Sequence, residues 1–182
     1  ATAAAIASLR KEFPIKFIGM EPAVKPAVKS TRTGVVGVLA TAGTLKADKY
    51  QCTREKFSEG IKVVEHIGQG FVELVEKGCV SGKEAEETVM ASLKPLLDEG
   101  ADRIVLGCTH YPFLAETIHK IAEELYPDRE IEIIDPAPAV ARHLIEVMRE
   151  EGLLTSKNTT YNISLHSSGD GTCLENTYNN LL

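Results

Sequence analysis

No run of roughly 18 or more apolar residues occurs in the 182-residue sequence, so no membrane-spanning helix is expected. No signal peptide is visible, because the opening Ala1-Thr2-Ala3-Ala4-Ala5-Ile6 has no basic segment ahead of it. The cysteines Cys52, Cys79, Cys108 and Cys173 form no CxxC pair, a spacing poor for zinc and sparse for a disulfide framework. Reduced thiols in a cytoplasm are therefore expected. No Lys/Arg cluster stands out: 20 basic residues are interspersed among 26 acidic ones, for a formal charge of −6. That balance argues against a nucleic-acid partner, which calls for a basic face. Low-complexity stretches are absent, although the end is rich in asparagine. An initiating methionine is also lacking, and the chain starts directly in a helix-like pattern with no cap. Upstream sequence is therefore expected, the alternative being a processed or engineered start.

What remains is a composition that can build a core, with 43% apolar residues. Helix patterns cover Thr2 to Glu12, Ala23 to Lys29, Leu45 to about Glu59, Gln69 to Lys77, Lys83 to Glu99, Phe113 to Leu125, Ala139 to Glu151 and Cys173 to Leu182. Ser81 is a plausible cap for the Lys83 helix, and Gly100 stops it. Strand patterns cover Ile15 to Met20, Val35 to Ala40, Ile61 to Ile67, Arg103 to Gly107, Glu132 to Ile134 and Tyr161 to His166. The continuous apolar run Val35-Val36-Gly37-Val38-Leu39-Ala40 has the character of a strand buried on both faces. Alternating strands and helices predict an α/β fold with an open, mainly parallel sheet flanked by helices.

Three turns share one design, an apolar strand followed by small or hydroxyl residues and then a helix: Leu39 to Thr44, Leu106 to His110, and Ile134 to Pro138. Ligands of open α/β sheets bind beyond the carboxyl ends of the strands, so chemistry is sought in these turns. Cys108 follows a buried-type strand and precedes a helix, where the helix dipole favours thiolate. His110, two residues on, is placed to relay a proton, and Thr109 adds a hydroxyl. The alternative for Cys108 is a structural core cysteine. Thr41, Gly43 and Thr44 suit a carboxylate or phosphate at a helix start, or merely an N-cap. With a single glycine there, neither a Walker loop nor a dinucleotide fingerprint exists. Taken alone, Glu76 reads as a solvated acid, Asp170 as a turn and helix cap, and His66, His119, His143 and His166 as isolated.

Leu106-Gly107-Cys108-Thr109-His110-Tyr111-Pro112 resembles the C-terminal signature of glutamate racemases, in the aspartate/glutamate racemase superfamily. Val38 to Thr44, continuing to Tyr50-Gln51, is similar to a second segment of that family. Phe71 to Glu76 with Gly78 is similar to a third, with Glu73 where a proline is usual. Ile18 to Pro22 and Ile134-Asp135-Pro136 also fit, and the resemblance covers nearly the whole chain, more loosely through Ser167 to Asp170.

The resemblance implies a cofactor-independent, two-cysteine, two-base inversion of glutamate that uses neither pyridoxal phosphate nor metal and supplies D-glutamate for peptidoglycan. It implies catalytic roles for Cys108, His110 and Glu76, with Glu76 orienting or polarising His110. Thr41, Thr44 and Thr109 would hold the substrate, and the full-length family forms a homodimer. The family also carries an earlier Asp-Ser pair and a Cys-Asn-Thr-Ala-Thr motif bearing the first cysteine; here Ala1-Thr2 match only the tail of that motif. Residues 22–126 would then be one complete racemase domain. Residues 1–21 and 127–182 would be parts of a pseudo-symmetric second domain, and the chain alone would be inactive. Alternatives are an aspartate racemase or other superfamily member, a non-catalytic glutamate-binding α/β module, or a half-domain whose uncovered apolar surface drives association.

Overall fold

The computed structural model describes residues 2–155, 162–169 and 171–181. Four strands, β1 (Val35–Ala40), β2 (Lys62–Ile67), β3 (Arg103–Leu106) and β4 (Glu132–Ile134), form one wholly parallel sheet in the order β2-β1-β3-β4. Helices α1 (Thr2–Glu12) and α2 (Val24–Ser30) precede it. Next come α3 (Ala42–Leu45), α4 (Asp48–Phe57), α5 (Phe71–Glu76), α6 (Lys83–Asp98), α7 (Ala115–Leu125), α8 (Ala137–Glu150) and α9 (Gly171–Leu181).

The period-2 geometry of a strand divides the core in two. Val36, Val38 and Ala40 of β1, with Val105 of β3, point into a cluster with Val24, Ala27 and Tyr50 of α2 and α4. Leu39, Ile104 and Leu106 point the other way, into a larger cluster with α5, α6 and α7. On α6 the buried residues Ala85, Val89, Ser92, Leu93, Leu96 and Leu97 recur at helical spacing and form its sheet-facing stripe. Each fully buried leucine there contributes about 2 kcal/mol by removing apolar area from water. Gly37 is required at mid-strand: a Cβ there would stand 2.7 Å from Ile104 Cδ1 and 3.1 Å from Leu96 Cδ1.

The strand order creates a topological switch. From β1 the chain crosses to β2 on one side, then returns to β3 on the other side of β1. Right-handed crossovers therefore put the helix after β1 and the helix after β3 on opposite faces of the sheet. In register, Leu39 pairs with Leu106 and Ala40 with Ile67, so β1, β2 and β3 end at one level. A crevice opens where the chain leaves β1 and β3 in opposite directions.

The opposite end of the sheet is fastened by Asp102, which is 2% exposed. Its carboxylate accepts from Thr31 Oγ1 at 2.5 Å, Arg32 N at 2.7 Å and Thr33 Oγ1 at 3.1 Å, and it lies 3.3 Å from Arg103 Nη1. Burial is the largest influence and opposes ionisation. The hydrogen bonds and the Arg103 charge together outweigh it and hold the carboxyl below the usual carboxylate range. A lowered folded-state value means the stabilisation is present at neutral pH and is lost as pH falls through that value. Asp102→Ala, which takes the acceptor away from Thr31, Arg32 and Thr33 and leaves Glu132 as the remaining carboxylate beside Arg103, is expected to cost about 3 kcal/mol at pH 7. Urea titrations at pH 7 and at pH 3 check this, the gap from wild type narrowing at the lower pH.

Several expectations need correction. Ile15 to Met20 is not a strand. An apolar run becomes a strand only by hydrogen-bonding to a neighbour, and this one instead receives Arg10 Nη2 on the Phe17 carbonyl at 2.8 Å. Residues 162–166 are likewise not in a strand, while Tyr161, Asp170 and Leu182 lie outside the described residues. The helix expected from Leu45 to Glu59 is two helices, because Ala47 is extended at φ −72°, ψ 129°. The cap of α6 is Gly82, at φ 85°, without a side-chain hydrogen bond, rather than Ser81. The helix expected from Phe113 begins as a 3-10 turn, Tyr111–Leu114, and becomes α-helical at Ala115. The last helix begins at Gly171, ahead of Cys173. No helix among the described residues is long and apolar enough to cross a membrane.

Candidate active site

The turns after β1 and β3 meet in a cleft of about 1040 Å³ at the switch point. Thr41, Gly43 and Thr44 line one wall and Gly107, Cys108, Thr109 and His110 the other. Of the third turn, Pro136 reaches the cleft, while Asp135 Oδ1 accepts from Ala137 N at 2.8 Å at the start of α8. Met20, Glu21 and Pro22 cross the mouth, and α1 contributes Ile6, Ala7 and Arg10.

Gly107 explains how closely the two turns approach. Its N–H donates to the Leu39 carbonyl at 2.7 Å. A Cβ at that position would stand 2.7 Å from Ala40 Cβ and 3.1 Å from the Leu39 oxygen, so only glycine lets β3 continue along β1 before the chain turns away. Cys108 follows immediately and is half-buried in the cleft wall.

The thiol does not stand alone. Cys108 Sγ is 3.9 Å from His110 Nδ1, and His110 Nε2 is 3.7 Å from Glu76 Oε1, at the end of α5. This is a thiol–imidazole–carboxylate line running from the cleft outward. The carboxylate can hold the imidazole with one nitrogen toward the sulfur and balance a positive charge on the ring. Read from sequence alone, Glu76 looks like an ordinary solvated acid; folding brings it beside His110, though its side chain stays 52% exposed.

Thr41 combines both readings considered for it. It is the N-cap of α3, its Oγ1 accepting from Thr44 N at 3.3 Å and lying 3.0 Å from Thr44 Oγ1. Both threonines also line the cleft, as does the exposed Thr109. Hydroxyl-bearing residues at a helix start and in the neighbouring turn line one space, a suitable receptor for a carboxylate.

Sequence reasoning missed the charged frame of the cleft: Arg10, Lys46, Lys49, Glu21 and Asp48. Lys49 pairs with Glu21 across the mouth. Lys46 comes two residues after Thr44, a signal available in the sequence. Tyr50 was noted only as part of a motif. It is buried in the wall and donates to Glu65 Oε1 at 2.8 Å, and Arg54 Nη1 lies 3.0 Å from the same oxygen. Burial foremost, and then the Glu65 hydrogen bond, raises the Tyr50 phenol far above its ordinary range, so it remains a neutral donor.

Two further thiols lie away from the cleft: Cys52 is exposed, and half-buried Cys79 has its sulfur 3.8 Å from the Lys77 carbonyl. His143, read as isolated, lies 3.7 Å from Glu146 on the exposed surface of α8. No cluster of three or more His, Cys, Asp or Glu suited to a metal ion occurs among the described residues.

Comparison with known proteins places this geometry in a lineage. The family described as Asp/Glu/Hydantoin racemase matches residues 1–144. A glutamate racemase from Roseiflexus sp. (strain RS-1) is 45% identical over 160 residues, 87% of this chain and 57% of that protein. The crystal structure of a glutamate racemase isoform from Bacillus anthracis superposes with a TM-score of 0.70 at 30% identity, over 85% of this chain and 57% of that one. The Francisella tularensis glutamate racemase, solved in complex with D-glutamate, superposes with a TM-score of 0.60 at 28% identity, over 74% of this chain and 49% of that one. The chain thus spans about half the length of these relatives. A thiol, an imidazole and paired threonines at the switch point, together with a match across residues 1–144, show that this chain belongs to the Asp/Glu/Hydantoin racemase family.

Proposed function

We propose that this chain provides one of the two proton-transfer faces of a cofactor-independent glutamate racemase. The observation that carries the reading is the Cys108–His110–Glu76 line ending in the cleft opposite Thr41 and Thr44. Cys108, as thiolate, takes the α-proton of glutamate, and the electron pair of the broken C–H bond delocalises into the α-carboxylate. A thiol on the other face returns a proton, inverting the centre. His110 holds charge and proton beside the sulfur, Glu76 orients His110, and the hydroxyls of Thr41, Thr44 and Thr109 hold substrate oxygens. Hydrogen bonds aimed at the carboxylate stabilise the charge that develops there, which is where catalysis gains most. Glutamate is the substrate favoured by the Roseiflexus relative and by the D-glutamate complex of the Francisella protein. The proposed role is supply of D-glutamate for the cell wall, in the cytoplasm, by a protein that is a homodimer when whole.

The second base is proposed to lie outside these 182 residues, in the segment that carries Cys-Asn-Thr in the family. Residues 1–21 and 127–182 then belong to the lobe which that segment completes. In support, helix α8 has no buried residue, and Leu144 and Ile145 are 43% and 46% exposed. Phe13, Ile15 and Leu153 are likewise exposed, at 50%, 62% and 63%. An uncovered apolar face of this kind calls for a covering element.

The test compares the chain alone with the chain extended at Ala1 by the preceding segment of the Roseiflexus relative. Circular dichroism follows the optical rotation of L-glutamate. The extended protein is expected to bring it to zero and the chain alone to leave it unchanged. Racemisation by the chain alone would refute the missing-base proposal. Inversion of aspartate in preference to glutamate would reassign the substrate.

A further inference from the structure

Tyr111 is fully buried directly beneath the reactive turn, yet the mechanism above gives it no task. Its Oη donates to the Gly68 carbonyl at 3.2 Å, across 43 residues of sequence. Its ring meets Phe71 edge-on, with centroids 4.9 Å apart. Gly68 lies in the turn from β2 into α5, and Phe71 is the first residue of α5, the helix that ends at Glu76. The fit is close from both sides: a Cβ on Gly68 would stand 2.6 Å from the Tyr111 hydroxyl. His110 immediately precedes Tyr111, so one phenol ties the turn carrying Cys108 and His110 to the helix carrying Glu76.

We propose that Tyr111 is a positioning residue that sets the His110–Glu76 separation by clamping the β3 turn onto the start of α5. This rests on the reading of Cys108, His110 and Glu76 given above. The clamp does not titrate in the working range, since burial first and the Cys108 charge second push the phenol well above its ordinary value. It is a neutral donor throughout, and loss of its hydroxyl leaves the buried Gly68 carbonyl without that partner.

The full chain as it stands supports the test. Alkylation of Cys108 by iodoacetamide is followed from pH 6 to pH 9 by peptide-resolved mass spectrometry, with Cys79 as an internal control for general loosening. Glu76→Gln is expected to slow Cys108 at pH 7 by about threefold, through loss of charge support for the imidazole. Tyr111→Phe keeps the ring and its contact with Phe71, and is expected to change the pH–rate profile in the same direction. The double variant falls no further than either single one, because residues acting through one contact are not additive. Gly68→Ala approaches the same clamp from the other side and is expected to give the same profile. If Tyr111→Phe lowers the melting temperature but leaves the Cys108 profile that of wild type, or if the two effects multiply, Tyr111 is only a core residue and the inference is overturned. If Glu76→Gln itself has no effect, the thiol–imidazole–carboxylate line fails and takes this inference with it.

Discussion

Replacing Cys108 by alanine in the extended protein is expected to lower glutamate racemisation by about 10⁴-fold or more, a loss of about 5.5 kcal/mol of transition-state stabilisation. The reason is structural as well as chemical. Gly107 allows β3 to run against β1 until the turn, so Cys108 lies where the two strands part, in the cleft that Thr41 and Thr44 also line. The neighbours available to substitute are His110, set back behind the sulfur, and Thr109, whose hydroxyl is a far weaker base. KM is expected to change little, because alanine leaves in place the hydroxyls of Thr41, Thr44 and Thr109 proposed to hold the substrate. A non-catalytic glutamate-binding module would give the opposite pattern, with Cys108→Ala leaving turnover unaffected.

His110→Asn is expected to lower kcat by about 100-fold, within the range for a positioned acid–base group. Asparagine can occupy much of the imidazole's volume but cannot carry a proton charge beside the sulfur. Glu76→Gln should lower kcat by about tenfold, less than His110→Asn, because Glu76 acts through the ring, and its 52% exposure lets water partly replace it. Steady-state kinetics on the single and double variants check the order. The double variant should resemble His110→Asn alone, since without the ring Glu76 has nothing to orient. Additive losses would mean that the two side chains work independently.

Much of this architecture was legible in the sequence because it is local. The buried strand β1 announced itself as an unbroken apolar run, and the α1 pattern gave its limits, since both depend on residues within a few positions. The segment Ile15 to Met20 misled because an apolar run is necessary for a strand but not sufficient; a neighbour must complete the ladder. The break at Ala47 and the capping of α6 by Gly82 turn on backbone angles that composition alone does not determine.

The site divides along the same line. Cys108, Thr109 and His110 are adjacent in sequence, and the strand-turn-helix pattern placed them at the mouth of the sheet without knowledge of the fold. Thr41 and Thr44 were legible both as a cap and as a cradle for an anion, and the strand order β2-β1-β3 sets their turn beside that of Cys108. Glu76 and Tyr111 could not be derived in this way. Glu76 is one acid among many until α5 is packed against the β3 turn. Tyr111 matters through a carbonyl 43 residues away. Long-range contacts give these two their meaning, and a single sequence does not encode such contacts in any local pattern.

Stereochemical isotope exchange tests the central assignment most directly. L-glutamate and D-glutamate are incubated separately in D₂O with the extended protein and with its Cys108→Ala variant, and deuterium at Cα is read by NMR. The parent is expected to label and invert both enantiomers, whereas the variant inverts neither and labels at most one, through the base that remains. Inversion of both enantiomers by the variant at the parent's rate would contradict that assignment.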